Sequence, residues 1–182
     1  LTDEGLLVRL QGVGTFVAEP KGQSALFEIR SIADEINARQ HQHRCEVITL
    51  ERTQASAQQA LVLNVKEGTS IFHSVMVHYE NELPVQIEDR CVNAEIVPAY
   101  LAQDYSQTTP HAYLSLIAPL TEGEHIVEAV RASAEECALL NIKEHDPCLL
   151  IRRKTWSASS IVSHARLLFP GSRYRLQGRF MS

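Results

Sequence analysis

A twelve-residue stretch occurs twice in this chain. Residues 56–67 read SAQQALVLNVKE and residues 133–144 read SAEECALLNIKE, a constant offset of 77 residues. In each copy a serine stands three residues before Gln59 or Glu136. That spacing is a capping box, which satisfies free amides at a helix start. A short apolar helix, a turn and a strand follow in both. Carried forward, the offset sets residues 71–79 against 148–156, and the strand containing Glu88 against the one containing Ala165. The expected unit is short helix, turn, strand, reversal, strand, present twice. Two such halves would join in one antiparallel sheet with a crevice between them. Convergence on a common helix-turn-strand pattern is the alternative.

The hairpin of the first copy carries unusual side chains. Ile71, His73, Val75, Val77 and Tyr79 alternate with Phe72, Ser74, Met76 and His78, the period of two that marks a strand. Glu80-Asn81-Glu82 is polar, and Asn81 tolerates turn geometry, so the chain reverses there. Val85, Ile87, Asp89 and Cys91 then oppose Gln86, Glu88, Arg90 and Val92. One face thus mixes His78, Gln86, Glu88 and Arg90 with Phe72 and Met76. Such a face suits a small-molecule pocket and equally a solvated sheet face.

The rest of the chain narrows the class. With 182 residues and 45% hydrophobic content, it can bury a core as one domain with an appendage. A net charge of -5 gives no bulk attraction to nucleic acid. No apolar run approaches spanning length and no signal-peptide pattern is present. Cys45, Cys91, Cys137 and Cys148 are scattered, which favours a reduced, cytoplasmic protein over a disulfide frame. His41, His43 and Cys45 alternate as metal ligands on one strand face would. No further cluster completes a tetrahedral set, so the start of a strand is the plainer reading, and neither metal nor cofactor is expected. Ser24 is placed to cap a helix with Leu26, Ile29, Ile32, Ala33 and Ile36 on one face, against the core or a dimer partner. Residues 111–117 read as a short helix carrying Tyr113, and 124–132 as a strand. Arg173, Arg175 and Arg179 give the last strand, 173–180, a basic run, either a solvated edge or an anion site.

Residues 1–5 read as the end of a helix, followed by two short strands around Gln11-Gly12-Val13-Gly14. A hairpin of that size is too small for a domain and is expected to be the tail of one. The motif Gly12-x-Gly14-Thr15-Phe16-Val17 resembles the wing of GntR-type winged-helix repressors, with an ordinary surface hairpin as the alternative. The resemblance implies that residues 1–20 are a wing remnant, with Arg9, Gln11, Gly12 and Gly14 nearest DNA. The base-reading helices of such a head are not in this sequence, so operator DNA is expected as a partner only of a longer protein.

From Ser24 onward the chain is similar to the UTRA effector domain of the HutC subfamily. The similarity rests on Leu83-Pro84-x-x-x-Glu88, on Pro147-x-Leu149 leading to Arg153-x-Thr155, and on Pro170-Gly171-x-Arg173-Tyr174. Phe72-His73-Ser74, residues 86–90 (Gln-Ile-Glu-Asp-Arg), Thr155-Trp156-Ser157 and Leu176-Gln177-Gly178 resemble its histidine-utilisation branch. The resemblance implies a chorismate-lyase-like α/β (α+β) fold with a largely antiparallel sheet over residues 21–182. It also implies a homodimer, a repressor rather than an enzyme, and urocanate as the effector. Relatives that sense sugar phosphates carry an arginine pair where Met76 and His78 stand here. Losing two guanidiniums removes a bidentate phosphate clamp.

Positions that line the pocket in relatives are Met76, His78, Glu88, His111, Tyr113, Ser163 and Phe169. Glu88 is the expected acceptor for an imidazole N–H, with Tyr113 or Phe169 stacking on the ring. Arg90 either meets the effector carboxylate or pairs with Glu88. Two alternatives stand beside this reading. One is a chorismate-lyase-like enzyme acting on a small aromatic carboxylate, which would have no use for a wing. The other is a GntR-type regulator of a different small carboxylate.

Overall fold

The repeat organises the whole molecule. A computed structural model of the chain describes residues 7–10, 14–17, 22–25 and 30–177. Strands β1 (Leu7–Leu10) and β2 (Gly14–Val17) form an antiparallel hairpin. Strand β3 (Gly22–Ala25) precedes helix α1 (Ile32–Ala38). Then follow β4 (His43–Gln54), α2 (Ala57–Leu63), β5 (Ser70–Glu80) and β6 (Leu83–Asn93). After a 3-10 turn at Tyr100–Ala102 the same order returns. It comprises α3 (Pro110–Ile117), β7 (Glu122–Arg131), α4 (Ala134–Leu140), β8 (Pro147–Ser157) and β9 (Ser160–Pro170). Strand β10 (Tyr174–Gln177) follows. α4, β8 and β9 begin and end 77 residues after α2, β5 and β6.

Both expected capping boxes form, Ser56 with Gln59 and Ser133 with Glu136. Both helices end on an asparagine in the left-handed region, Asn64 (φ 54°) and Asn141 (φ 49°), where the cap amide bonds back into the last turn. The β5–β6 reversal is the two-residue turn Asn81-Glu82 with φ 48° and 64°, the backbone twist that suits a tight hairpin.

Six strands make one antiparallel sheet in the order β4-β5-β6-β9-β8-β7. The halves meet where β6 pairs with β9, and Asp89 lies opposite Arg166. Those two residues are themselves repeat mates, so a pseudo-twofold axis passes through that pair. On one face α2 covers Ile71 and Cys91, and α4 covers Ile87, Leu150 and Leu168. On the other, α1 packs on Val85, Ile151, Leu167 and Phe169, while α3 packs on Phe72, Met76 and Val162. The two N-caps on this face touch, Ser31 Oγ to Thr109 Oγ1 at 2.9 Å. Among the described residues, no helix is long and apolar enough to cross a membrane.

Two expectations near the ends are corrected. The first helix starts at Ile32, capped by Ser31 rather than Ser24. Ser24 instead belongs to β3, which pairs in parallel with β10, Leu176 opposite Ser24; Leu26 and Ile29 lie outside the described residues. Nor is Arg173 part of the last strand or a solvated edge. It donates to the carbonyls of Pro84 (2.6 Å), Leu140 (2.6 Å) and Asn141 (3.0 Å), closing the C-terminus of α4. Gly171 must be glycine, because a Cβ there would stand 2.9 Å from the Pro147 carbonyl oxygen. Arg179 lies outside the described residues.

Candidate functional site

The hairpin register puts the polar residues on one face. His78 pairs with Gln86, Met76 with Glu88 and Ser74 with Arg90, so these side chains project together beneath α1 and α3. At the seam, next to the touching N-caps, lies a small, narrow cleft. Its wall includes Gln86, Glu88, Arg153, Leu167, Phe169 and Tyr174, with His111 at the start of α3.

Behind the wall runs a buried polar chain. Arg90 Nε donates to Glu88 Oε1 at 2.7 Å, and Arg90 Nη1 donates to Ser163 Oγ at 2.7 Å. Ser163 Oγ is 2.9 Å from Thr155 Oγ1. On the other side His78 Nε2 stands 3.4 Å from Glu88 Oε2. That is ion-pair distance without hydrogen-bond alignment, so Nε2 keeps no hydrogen-bond partner among the described residues. His78 Nδ1 is 3.0 Å from His43 Nε2, with the rings stacked. Burial pushes the Glu88 carboxyl up, but the Arg90 guanidinium and His78 outweigh it and hold the group well below the usual carboxylate range. Burial, reinforced by His78, lowers His43 to about 4. His43 is therefore neutral at pH 7.

Glu88 is thus a buried, ionised acceptor in the wall of a cleft. Gln86 Oε1 and Arg90 Nη2 are likewise buried with no hydrogen-bond partner among the described residues. Such atoms are costly unless something satisfies them. Phe169 stacks on Tyr174 with ring centroids 3.8 Å apart and 12° between planes, so one of its faces is already covered.

Of the eight anticipated residues, Glu88, His111 and Phe169 line the cleft. Arg90, Ser163 and His78 form the chain just described, with Arg90 paired to Glu88. Met76 and Tyr113 sit instead in an apolar cluster with Phe72, Tyr100 and Tyr105. Arg9 and Gly14 lie in the β1–β2 hairpin, opposite Thr15 and Leu10; Gln11 and Gly12 lie outside the described residues. His43 and Cys45 do start a strand, and among the described residues no group of three or more His, Cys, Asp or Glu is placed to hold a metal ion. Sequence reasoning did not place Arg153, Thr109 or Tyr174 in the site.

The site is asymmetric although the fold is not. The repeat mates of Glu88, Arg90 and His78 are Ala165, Leu167 and Thr155. The mates of the cleft residues Arg153, Phe169 and Tyr174 are Met76, Val92 and Val97, all buried in the cluster around Tyr100. One of two symmetry-related spaces is filled with aromatic core, and the other holds the small cleft.

Comparison with known proteins bears on what enters it. The family model of the UTRA domain matches residues 38–175. The histidine utilization repressor of Klebsiella aerogenes is 81% identical over 182 residues, all of this chain and 76% of that protein. The crystal structure of the C-terminal domain of the histidine utilization repressor from Pseudomonas syringae pv. tomato shares 56% identity with a TM-score of 0.75. It covers 78% of this chain and 100% of that one. PhnF from Mycobacterium smegmatis, at 20% identity and a TM-score of 0.83, matches 100% of this chain and 80% of its own, a likeness of fold.

Proposed function

The chain belongs to the histidine utilization repressors, GntR-type regulators with a UTRA domain, and from that premise we propose that its central cleft binds urocanate and thereby releases operator DNA. The family makes it the effector-binding part of a transcriptional repressor rather than an enzyme, with operator DNA and a small molecule as partners. The observation that carries the urocanate reading is Glu88. It is an ionised carboxylate held by Arg90 at 2.7 Å in the wall of a cleft at the seam of the two halves. An imidazole N–H is a fitting donor to it, and Gln86 Oε1 offers a second acceptor beside it. Met76 and His78, where sugar-phosphate sensors carry arginines, argue for a smaller and less charged effector.

The β1–β2 hairpin supports residues 1–20 as the wing of a DNA-binding head and residues 21–182 as the sensor. Apolar residues exposed on both free edges of the sheet, Val47 and Ile48 on β4 and Ile126 and Val127 on β7, support a homodimer. Such a repressor works in the cytoplasm. Tyr174 lines the cleft, and its strand β10 pairs with β3, the strand that follows the hairpin. Ligand that favours one placement of Tyr174 biases the strand nearest the head, by no more than its differential affinity for the two arrangements. The test uses the full-length repressor on operator DNA, followed by fluorescence anisotropy. Urocanate should release the DNA while histidine and chorismate do not. Retention of DNA at saturating urocanate, or consumption of chorismate, would overturn the proposal.

A further inference from the structure

Arg153 is a cleft-wall side chain only 6% exposed. Its Nε donates to His125 Nε2 at 2.8 Å and its Nη1 reaches the Arg30 carbonyl oxygen at 3.4 Å. Among the described residues no carboxylate lies within 4.0 Å of it, and Glu88 is already engaged by Arg90 and His78. Burial, then the nearby Arg90, lower its pKa to about 10 against the weaker opposing fields of Glu88, Tyr174 and Glu35, so it is charged at neutral pH. A buried guanidinium with no carboxylate partner is costly, and the natural relief is an anion delivered by a ligand.

We infer that Arg153 holds the carboxylate of the effector and makes this site selective for planar acids over their neutral analogues. The inference rests on the sensor reading above and adds the ligand's polarity to it. Glu88 on β6 and Arg153 on β8 are separated by the single strand β9, so their backbones lie two strand spacings apart, roughly 10 Å. A ring bearing a short unsaturated acid would span the two side chains once the small cleft widens around it. The ring N–H meets Glu88 and Gln86, and the carboxylate meets Arg153. The reverse orientation sets carboxylate against carboxylate at Glu88. Arg90 is less well placed for this role, because Nε and Nη1 are committed to Glu88 and Ser163 and its remaining donor, Nη2, belongs to a side chain 1% exposed behind the wall. Arg153 is also the repeat mate of Met76, which the first half buries in its apolar cluster.

The test is calorimetric titration of the chain at neutral pH with urocanate and with its isosteric primary amide, using wild type, Arg153→Gln and Arg153→Lys, with thermal unfolding in parallel. Wild type should prefer the acid by about tenfold to a hundredfold, the range of one hydrogen-bonded charge. Arg153→Gln should lose that preference while binding the amide within a few-fold of wild type, and Arg153→Lys should keep part of it. Equal loss of acid and amide would show a merely structural role and overturn the inference, as would a glutamine variant that still prefers the acid. Should the glutamine variant not fold, a wild-type preference near unity overturns it. Wild type that binds neither compound overturns the sensor reading itself.

Discussion

Replacing Glu88 by alanine and Arg90 by leucine gives the first half the residues that the second half carries at the same repeat positions, Ala165 and Leu167. Each single substitution leaves a charge stranded. In Glu88→Ala, Arg90 loses its 2.7 Å Nε partner while its Nη2 already has none among the described residues. In Arg90→Leu, Glu88 keeps only His78 at 3.4 Å. Breaking one side of a buried pair costs about 3–5 kcal/mol. For a domain of this size each kcal/mol lowers Tm by about 2–4 °C, so each single variant should lose roughly 6–20 °C. The double variant removes both desolvated charges and leaves Ser163 with its Thr155 partner at 2.9 Å. It should therefore be no less stable than the worse single variant, a coupling of at least about 3 kcal/mol, the cost of the milder single variant. Thermal and urea unfolding of the four proteins measure this directly. Costs that simply add would refute a coupled pair. Recovery of stability without any urocanate binding would show that the pair is kept for the ligand rather than for the fold.

Two further outcomes follow from local structure. Ser56→Ala and Ser133→Ala each remove a capping box at a different helix, so each should cost about 1 kcal/mol, additively, as read by thermal unfolding. The folded His43 binds its proton only near pH 4, against 6.5 for the free side chain. Between those values the unfolded chain binds more protons, so stability is full above about 6.5 and falls as pH drops towards 4. Urea midpoints at several pH values should show this slope, and His43→Asn should flatten it. The depressed Glu88 carboxyl adds no loss until the pH falls through the carboxylate range.

Local signals carried much of this fold. Two serine caps and the offset between them place α2, α4 and all four strands of the paired hairpins. Alternation in residues 71–93 placed Glu88 and Arg90 on one face with His78, which the register bears out. The parallel pairing of β3 with β10 joins segments about 150 residues apart, and nothing in Gly22–Ala25 announces a partner so distant. That pairing also explains why Ser24 does not cap a helix. Arg173 looked like part of a basic edge because its three carbonyl partners come from β6 and the end of α4. Arg153 could have been found, since the offset maps it onto Met76. A repeat reports which positions face the interior, but not which of two equivalent spaces is left open. Tyr100, Tyr105 and Tyr113 decide that by filling one.

The central claim is that the cleft at the seam senses urocanate through Glu88, and calorimetric titration of this chain with urocanate, wild type against Glu88→Gln, tests it most directly. The account predicts saturable binding by the wild type, weakened at least tenfold when the carboxylate becomes an amide, with histidine and chorismate bound far less well. Urocanate binding that is unchanged in Glu88→Gln would place the sensor elsewhere on the molecule and contradict the account.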